Sequence, residues 1–316
     1  MSFVRTVLGD IEPADLGACD SHEHLIIDGG LPVLKHPDFR LADVDKCVEE
    51  LANAHRAGLR AVVDAMPCDA GRNVLKLAEV SRRSGIHVLC PTGLHHESFY
   101  DDVHWSLRAD EERLTQLFTT DIDEGVDRHD YGAPFVERTE HRAGVVKVAG
   151  SLDGLTDRDR RVFRAAARTH VATGCPVLTH TEKGTGGAEQ VELLLAEGMR
   201  PDSIVLSHTD FVTDAGYHRA LLQAGVFLEF DRHFRWQGGE DGNPTLALIE
   251  QLVADSYGAQ LVLGLDAARQ GYWTVYGGTP GLPFIVDGLP QWLERRGIDA
   301  APMLVANPAR AFAFAA

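Results

Sequence analysis

Apolar runs of strand length alternate along this chain with segments whose apolar residues recur every three or four positions. The runs are Ala18–Ile27, Leu59–Met66, His87–Gly93, Ala143–Ala149, Cys175–Thr181, Ser203–Thr209, Val226–Asp231 and Gln260–Asp266. They are nearly continuous in apolar residues, as parallel strands are when helices cover both faces of the sheet. The segments between them carry helical patterns, including Leu41–Ala57, Asn73–Ser84, Asp157–Thr173, Ala188–Glu197, Asp214–Ala224 and Pro244–Asp255. Gly58, Gly85, Gly174, Gly198 and Gly225 punctuate the junctions. Eight strands alternating with helices predict an α/β protein, a (β/α)8 TIM barrel. One domain over residues 1–316 is expected, with the barrel core about 18–296 and a C-terminal helix about 300–313. Residues 1–17 read as a short N-terminal β ribbon with a tight turn at Gly9-Asp10. The alternative, an open doubly wound sheet, lacks its G-x-G-x-x-G signal after the first strand. Ser98–Arg142 and Phe230–Pro244 are expected as long βα loops on the C-terminal face of the barrel, where such folds carry their chemistry.

The strand ends repeat one theme. The first strand ends in Asp20-Ser21-His22-Glu23-His24-Leu25. Residues i and i+2 of a strand share a face, so both imidazoles can reach one metal ion. The fourth strand carries Lys147 inside an apolar run; the fifth ends in His180, the sixth in His208 and the eighth in Asp266. Singly, each has a plain structural explanation, such as a hydrogen-bonded core histidine or a helix-capping aspartate. Together, near the C-terminal ends of five strands of one barrel, they point to a metal centre. An ammonium in a strand core is costly unless paired or neutralised. A neutral Lys147 amine could capture carbon dioxide as a carbamate, an anion able to bridge two cations.

Composition narrows the partners. The net charge of −17 disfavours a nucleic-acid backbone, and an anionic substrate would need a local arginine cluster. The five cysteines include no C-x-x-C pair, which argues against a disulfide framework or a thiolate zinc site. With no apolar run of membrane-spanning length, a cytoplasmic enzyme with a small-molecule substrate, and no membrane partner, is expected.

These residues resemble the phosphotriesterase family of the amidohydrolase superfamily, from Thr6-Val7-Leu8-Gly9 and His22-Glu23-His24-Leu25 to Asn307-Pro308-Ala309-Arg310. The resemblance implies a binuclear metal-dependent hydrolase. By it, His22, His24 and Asp266 hold the buried metal, His180 and His208 the exposed one, and carbamylated Lys147 bridges them. Zinc suits these ligands best, with cobalt, manganese and iron as alternatives. Asp266 would also be the catalytic base, with Asp210 and Asp231 as candidate proton relays. A homodimer is implied as well. The run from Asp266 through Arg269 and Tyr272 to Gly281 looks like the branch that opens sugar lactones carrying a phosphate. That reading makes Arg269 and Tyr272 the phosphate grip, with Arg235 and Arg232 adding charge and His95 touching substrate. Where that branch carries a lysine, this chain has Phe234-Arg235-Trp236-Gln237. The alternatives are phosphotriester hydrolysis, with Phe234, Trp236 and Trp273 as an apolar wall, and a catalytically idle small-molecule binding protein on the same fold.

Overall fold

The computed structural model of the chain describes residues 2–152 and 154–315. Strands β1 (Val4–Thr6) and β2 (Gly9–Ile11) form the antiparallel ribbon. Its turn falls at Val7-Leu8 rather than at Gly9-Asp10. Thr6 pairs with Gly9, and Thr6 Oγ1 donates to the Gly9 carbonyl at 2.8 Å, so Gly9 already belongs to the returning strand.

The barrel strands are β3 (Cys19–Glu23), β4 (Ala61–Asp64), β5 (His87–Leu89), β6 (Pro91–Leu94), β7 (Val145–Ala149), β8 (Val177–His180), β9 (Ile204–Ser207), β10 (Phe227–Phe230) and β11 (Leu261–Leu263). The paired ones run parallel. β5 and β6 together make the third barrel strand, interrupted at Cys90 before Pro91, whose nitrogen has no hydrogen to give a ladder. β5 pairs with β4, and β6 with β7. The barrel closes between β11 and β3 without a regular ladder. The Asp266 amide donates to the His22 carbonyl at 2.8 Å. Asp20 Oδ1 accepts from the His22 and Leu265 amides at 3.2 Å each, and Glu23 accepts from His24 at 3.0 Å and Ala267 at 2.9 Å. Two buried carboxylates thus supply the acceptors that a missing strand pair would have supplied.

The expected helices form within a few residues of their predicted bounds, as Val44–Ala57, Val74–Ser84, Asp157–Thr173, Gly187–Ala196, Ala215–Gln223 and Pro244–Ala254. A further helix, Glu111–Asp123, lies in the stretch expected as loop. Asp110 caps it, accepting the Arg113 amide at 2.9 Å, and Leu114, Phe118 and Ile122 bury one face at four-residue spacing. The C-terminal helix is a π-helical turn, Pro302–Ala306, running into Asn307–Ala311. No helix among the described residues is long and apolar enough to cross a membrane.

Two apolar layers result. The larger packs the helices onto the outside of the barrel. The smaller fills its interior with Val63, Val145, Leu178, Val205, Phe227 and Val262, and Val4, Leu16 and Phe312 plug the same cluster. The polar centre stands on that plug.

Candidate metal centre and substrate cavity

The two-residue step of a strand carries the chain from plug to polar centre. β7 passes from Val145 to Lys147, and β8 from Leu178 to His180. β10 passes from Phe227 to Glu229 and then Asp231; β11 passes from Val262 to Gly264 and then Asp266. Asp266 and His208 both adopt the left-handed backbone region, with φ 50° and 62°. That conformation is uncommon outside glycine and persists where surroundings over-determine it, often at functional sites. Gly93 has a related role. A Cβ there would sit 2.0 Å from the Lys147 carbonyl oxygen, so only glycine lets β6 approach the lysine-bearing strand this closely.

His22, His24 and Asp266 bring one donor atom each to a common point. His24 Nε2 lies 3.2 Å and His22 Nε2 3.9 Å from Asp266 Oδ1. Donors of one four-coordinate cation bound at 2.0–2.2 Å stand roughly 3.3–3.6 Å apart, so this spacing fits a shared metal. His208 packs 4.7 Å from the His22 ring and 4.5 Å from the His180 ring, centroid to centroid. Each of three imidazoles has one nitrogen beside an acid: His22 Nδ1 by Glu229 (3.1 Å), His208 Nδ1 by Asp231 (2.5 Å) and His180 Nε2 by Glu182 (2.8 Å). That arrangement suits ligating histidines. Lys147 is buried, and the one hydrogen-bond contact of its Nζ among the described residues is His22 Nε2 at 3.4 Å.

Electrostatics favour the same reading. Burial pushes His22 well below the usual imidazole range, with the nearby Lys147 charge adding to the effect. Burial, reinforced by His208, lowers His180 to about 3. Both are therefore neutral, as metal ligands must be. Burial lowers Lys147 to about 8, within reach of the neutral amine that carbamylation requires. Burial would raise Asp266, yet the Arg235 guanidinium and the His24 hydrogen bond hold it well below the usual carboxylate range. Arg235 Nη2 donates to Asp266 Oδ2 at 2.8 Å and to its carbonyl at 2.5 Å. Asp20, Glu23, Glu229, Asp231 and Asp266 are gathered under the barrel mouth beside Lys147 and Arg235. Unpartnered oxygens remain on Asp20, Glu229 and Asp231. Such an acid-rich floor fits bound cations.

Above it opens a cavity of about 500 Å3. His95, Arg232, Arg235, Arg269 and Tyr272 all line it, as do the apolar side chains of Ile27, Phe39, Met66 and Phe99. The three arginines differ in availability. Arg235 is committed to Asp266. Arg269 pairs with Asp38 at 2.5 Å and lies over the Phe39 ring. Arg232 lies over the Phe211 ring at 3.5 Å, and its guanidinium has no carboxylate partner among the described residues. His95 is buried, stacked on Phe99 at 3.5 Å and 5.2 Å from the His180 ring. Tyr272 meets Phe234 edge-on.

Trp236 does not line the cavity. Its indole N–H donates to the Asp241 carbonyl, which folds the ring back over its own turn and leaves it 45% exposed. Trp273 is core, its N–H given to the Ala267 carbonyl. Asp210 accepts from the Arg232 amide and from Thr245 Oγ1, which ties two loops together. Sequence reasoning missed Glu229 and Glu182. Glu229 left a signal, an acid inside the apolar run Phe227-Leu228-Glu229-Phe230, like Lys147 in its own strand. Glu182 left none, since an acid two residues past a strand is ordinary.

A model of the Phosphotriesterase family matches residues 2–312. The chain is 34% identical to a phospho-furanose lactonase of Mycoplasmopsis synoviae, over 99% of this chain and 92% of that one. Among solved structures it is similar to an amidohydrolase from Mycoplasma synoviae, with TM-score 0.93, 32% identity, and 99% and 92% of the two chains covered. It is also similar to a lactonase from Listeria monocytogenes, with TM-score 0.88, 27% identity, and 99% and 100% covered.

Proposed function

This chain belongs to the phosphotriesterase family, and from that premise and the site above we infer that it is a metal-dependent hydrolase that opens a sugar lactone bearing a phosphate. The family's enzymes use a binuclear metal centre, and the converging donors suit one. His22, His24 and Asp266 would hold one cation and His180 and His208 the other, with Lys147 bridging as the carbamate formed when its neutral amine adds carbon dioxide and gives up a proton. Such a pair supplies Lewis acidity toward the ring carbonyl and a source of hydroxide at neutral pH. The protein supplies the rest. Asp266, kept ionised by Arg235, takes the proton of the attacking water and returns it to the ring oxygen as the lactone C–O bond breaks. Ile27, Phe39, Met66 and Phe99 give the cavity apolar walls that disfavour bulk water. The arginines that line the same cavity favour an anionic substituent there.

The observation that carries the anionic reading is Arg232. It is a cavity-lining guanidinium without a carboxylate partner among the described residues, in a chain of net charge −17. A phospho-furanose lactonase among the relatives supports the same substrate class. The test is kcat/KM of zinc-loaded protein on matched five-carbon lactones with and without a terminal phosphate. A preference of about a hundredfold for the phosphorylated form, about 2.7 kcal/mol, is expected for a charge-assisted grip. Equal rates would assign the cavity to neutral lactones.

A further inference from the structure

We propose that Glu229 is a positioning residue: its carboxylate, seated in a recess that Gly264 keeps open, holds His22 in the tautomer and orientation that present Nε2 to the metal. The proposal rests on His22 being a metal ligand, as inferred above.

Glu229 is fully buried on β10, in an otherwise apolar run, where an acid needs a specific reason to be. Its Oε2 lies 3.1 Å from His22 Nδ1, where an ionised carboxylate accepts the hydrogen of that nitrogen. A neutral imidazole carries one N–H, so that bond leaves a lone pair on Nε2. Nε2 is the nitrogen on the side of Asp266 and Lys147, 3.9 Å and 3.4 Å away. Room for this contact is made on the next strand. A Cβ at Gly264 would stand 2.6 Å from Glu229 Oε1 and 2.8 Å from His22 Cβ. The neighbouring His208 receives similar support from Asp231, one residue past the end of β10, so two acids two residues apart each face a different histidine.

A rival role would make Glu229 only a counter-charge for Lys147. The two roles separate on substitution. Gln keeps an oxygen that can accept from Nδ1 but removes the charge; Ala removes both. Zinc affinity of the full-length protein, read by competition with a chromophoric chelator, should fall roughly 10- to 100-fold in Glu229→Ala, as loss of such partners does elsewhere. Most of that loss should be recovered in Glu229→Gln, with KM for the lactone near wild type in both. Wild-type affinity in Glu229→Ala, or equal losses in the two variants, overturns the proposal. Should Glu229→Ala fail to fold, the proton resonance of the His22 Nδ1–H in zinc-loaded protein decides. It should move upfield in Glu229→Gln as a charged acceptor is replaced by a neutral one, and an unmoved resonance refutes the contact. His22→Ala is the control on the underlying ligand assignment. If it binds zinc as tightly as wild type, that assignment fails. If it loses zinc while Glu229→Ala does not, the assignment survives and only the positioning role falls.

Discussion

At the scale of single residues, the site is built by exchanging one apolar side chain for one polar side chain at the same inward position of successive strands. Lys147 shows how far such an exchange depends on surroundings, because a buried amine held near a pKa of 8 is a nucleophile where an exposed one is not. Lys147→Ala should lower bound zinc below that of wild type by metal analysis and cut kcat/KM by more than about a hundredfold, the upper range seen for loss of supporting residues alone. Unaltered metal content would remove the carbamate from the account. The arginines make a sharper comparison, since all three line one cavity yet differ in their partners. Arg232→Ala should raise KM for a phosphorylated lactone about tenfold, or about 1.5 kcal/mol, the low end for a charged hydrogen bond because the side chain is partly exposed. Arg269→Ala should do less, as its charge already serves Asp38.

Elements were legible in the sequence where one periodicity dominated. The barrel strands form where the apolar runs predict them, but end sooner: His208 lies one residue past β9 and Asp266 three past β11, because the polar residues that stand out against the apolar runs begin the loops. The helix Glu111–Asp123 was not read, since it presents a thin apolar stripe of Leu114, Phe118 and Ile122 within a polar stretch and packs on its neighbours only in three dimensions. The break at Cys90-Pro91 and the position of Trp236 likewise depend on which backbone or carbonyl lies opposite, which no local pattern records. Glu229 was visible as an oddity but not as a partner, because its contact with His22 spans most of the chain. The helix Asp157–Thr173 shows how an element can carry a pH response far from the site. His170 near its end bonds the Cys175 carbonyl through Nδ1 at 2.8 Å, and burial lowers its pKa. The folded state then favours the neutral ring. Its contribution is complete above the unfolded value of about 6.5 and is lost as pH falls below it. The wild-type Tm should therefore drop more steeply below pH 6.5 than that of His170→Ala in parallel thermal melts; identical slopes would exclude the effect.

For the whole molecule, the decisive feature is where the barrel closes. β11 meets β3 through one backbone hydrogen bond, Asp266 to His22, and through the carboxylates of Asp20 and Glu23. The proposed ligands His22, His24 and Asp266 sit on both sides of that junction. A metal there would also be a cross-brace. Zinc at a free concentration a thousandfold above Kd adds about 4 kcal/mol of stability, so chelation should lower Tm by on the order of 10 °C. Hydrogen exchange should quicken first at residues 20–25 and 265–267. An unchanged Tm and exchange pattern would mean the closure stands without metal. The same seam sets a clock on biosynthesis. His22 and His24 leave the ribosome early and Asp266 late, so no nascent chain can hold the first cation with its full ligand set until the last barrel strand has emerged. On that ligand assignment, a polypeptide still short of its last barrel strand is an unarmed one, and capture of the first cation would report that this strand has arrived.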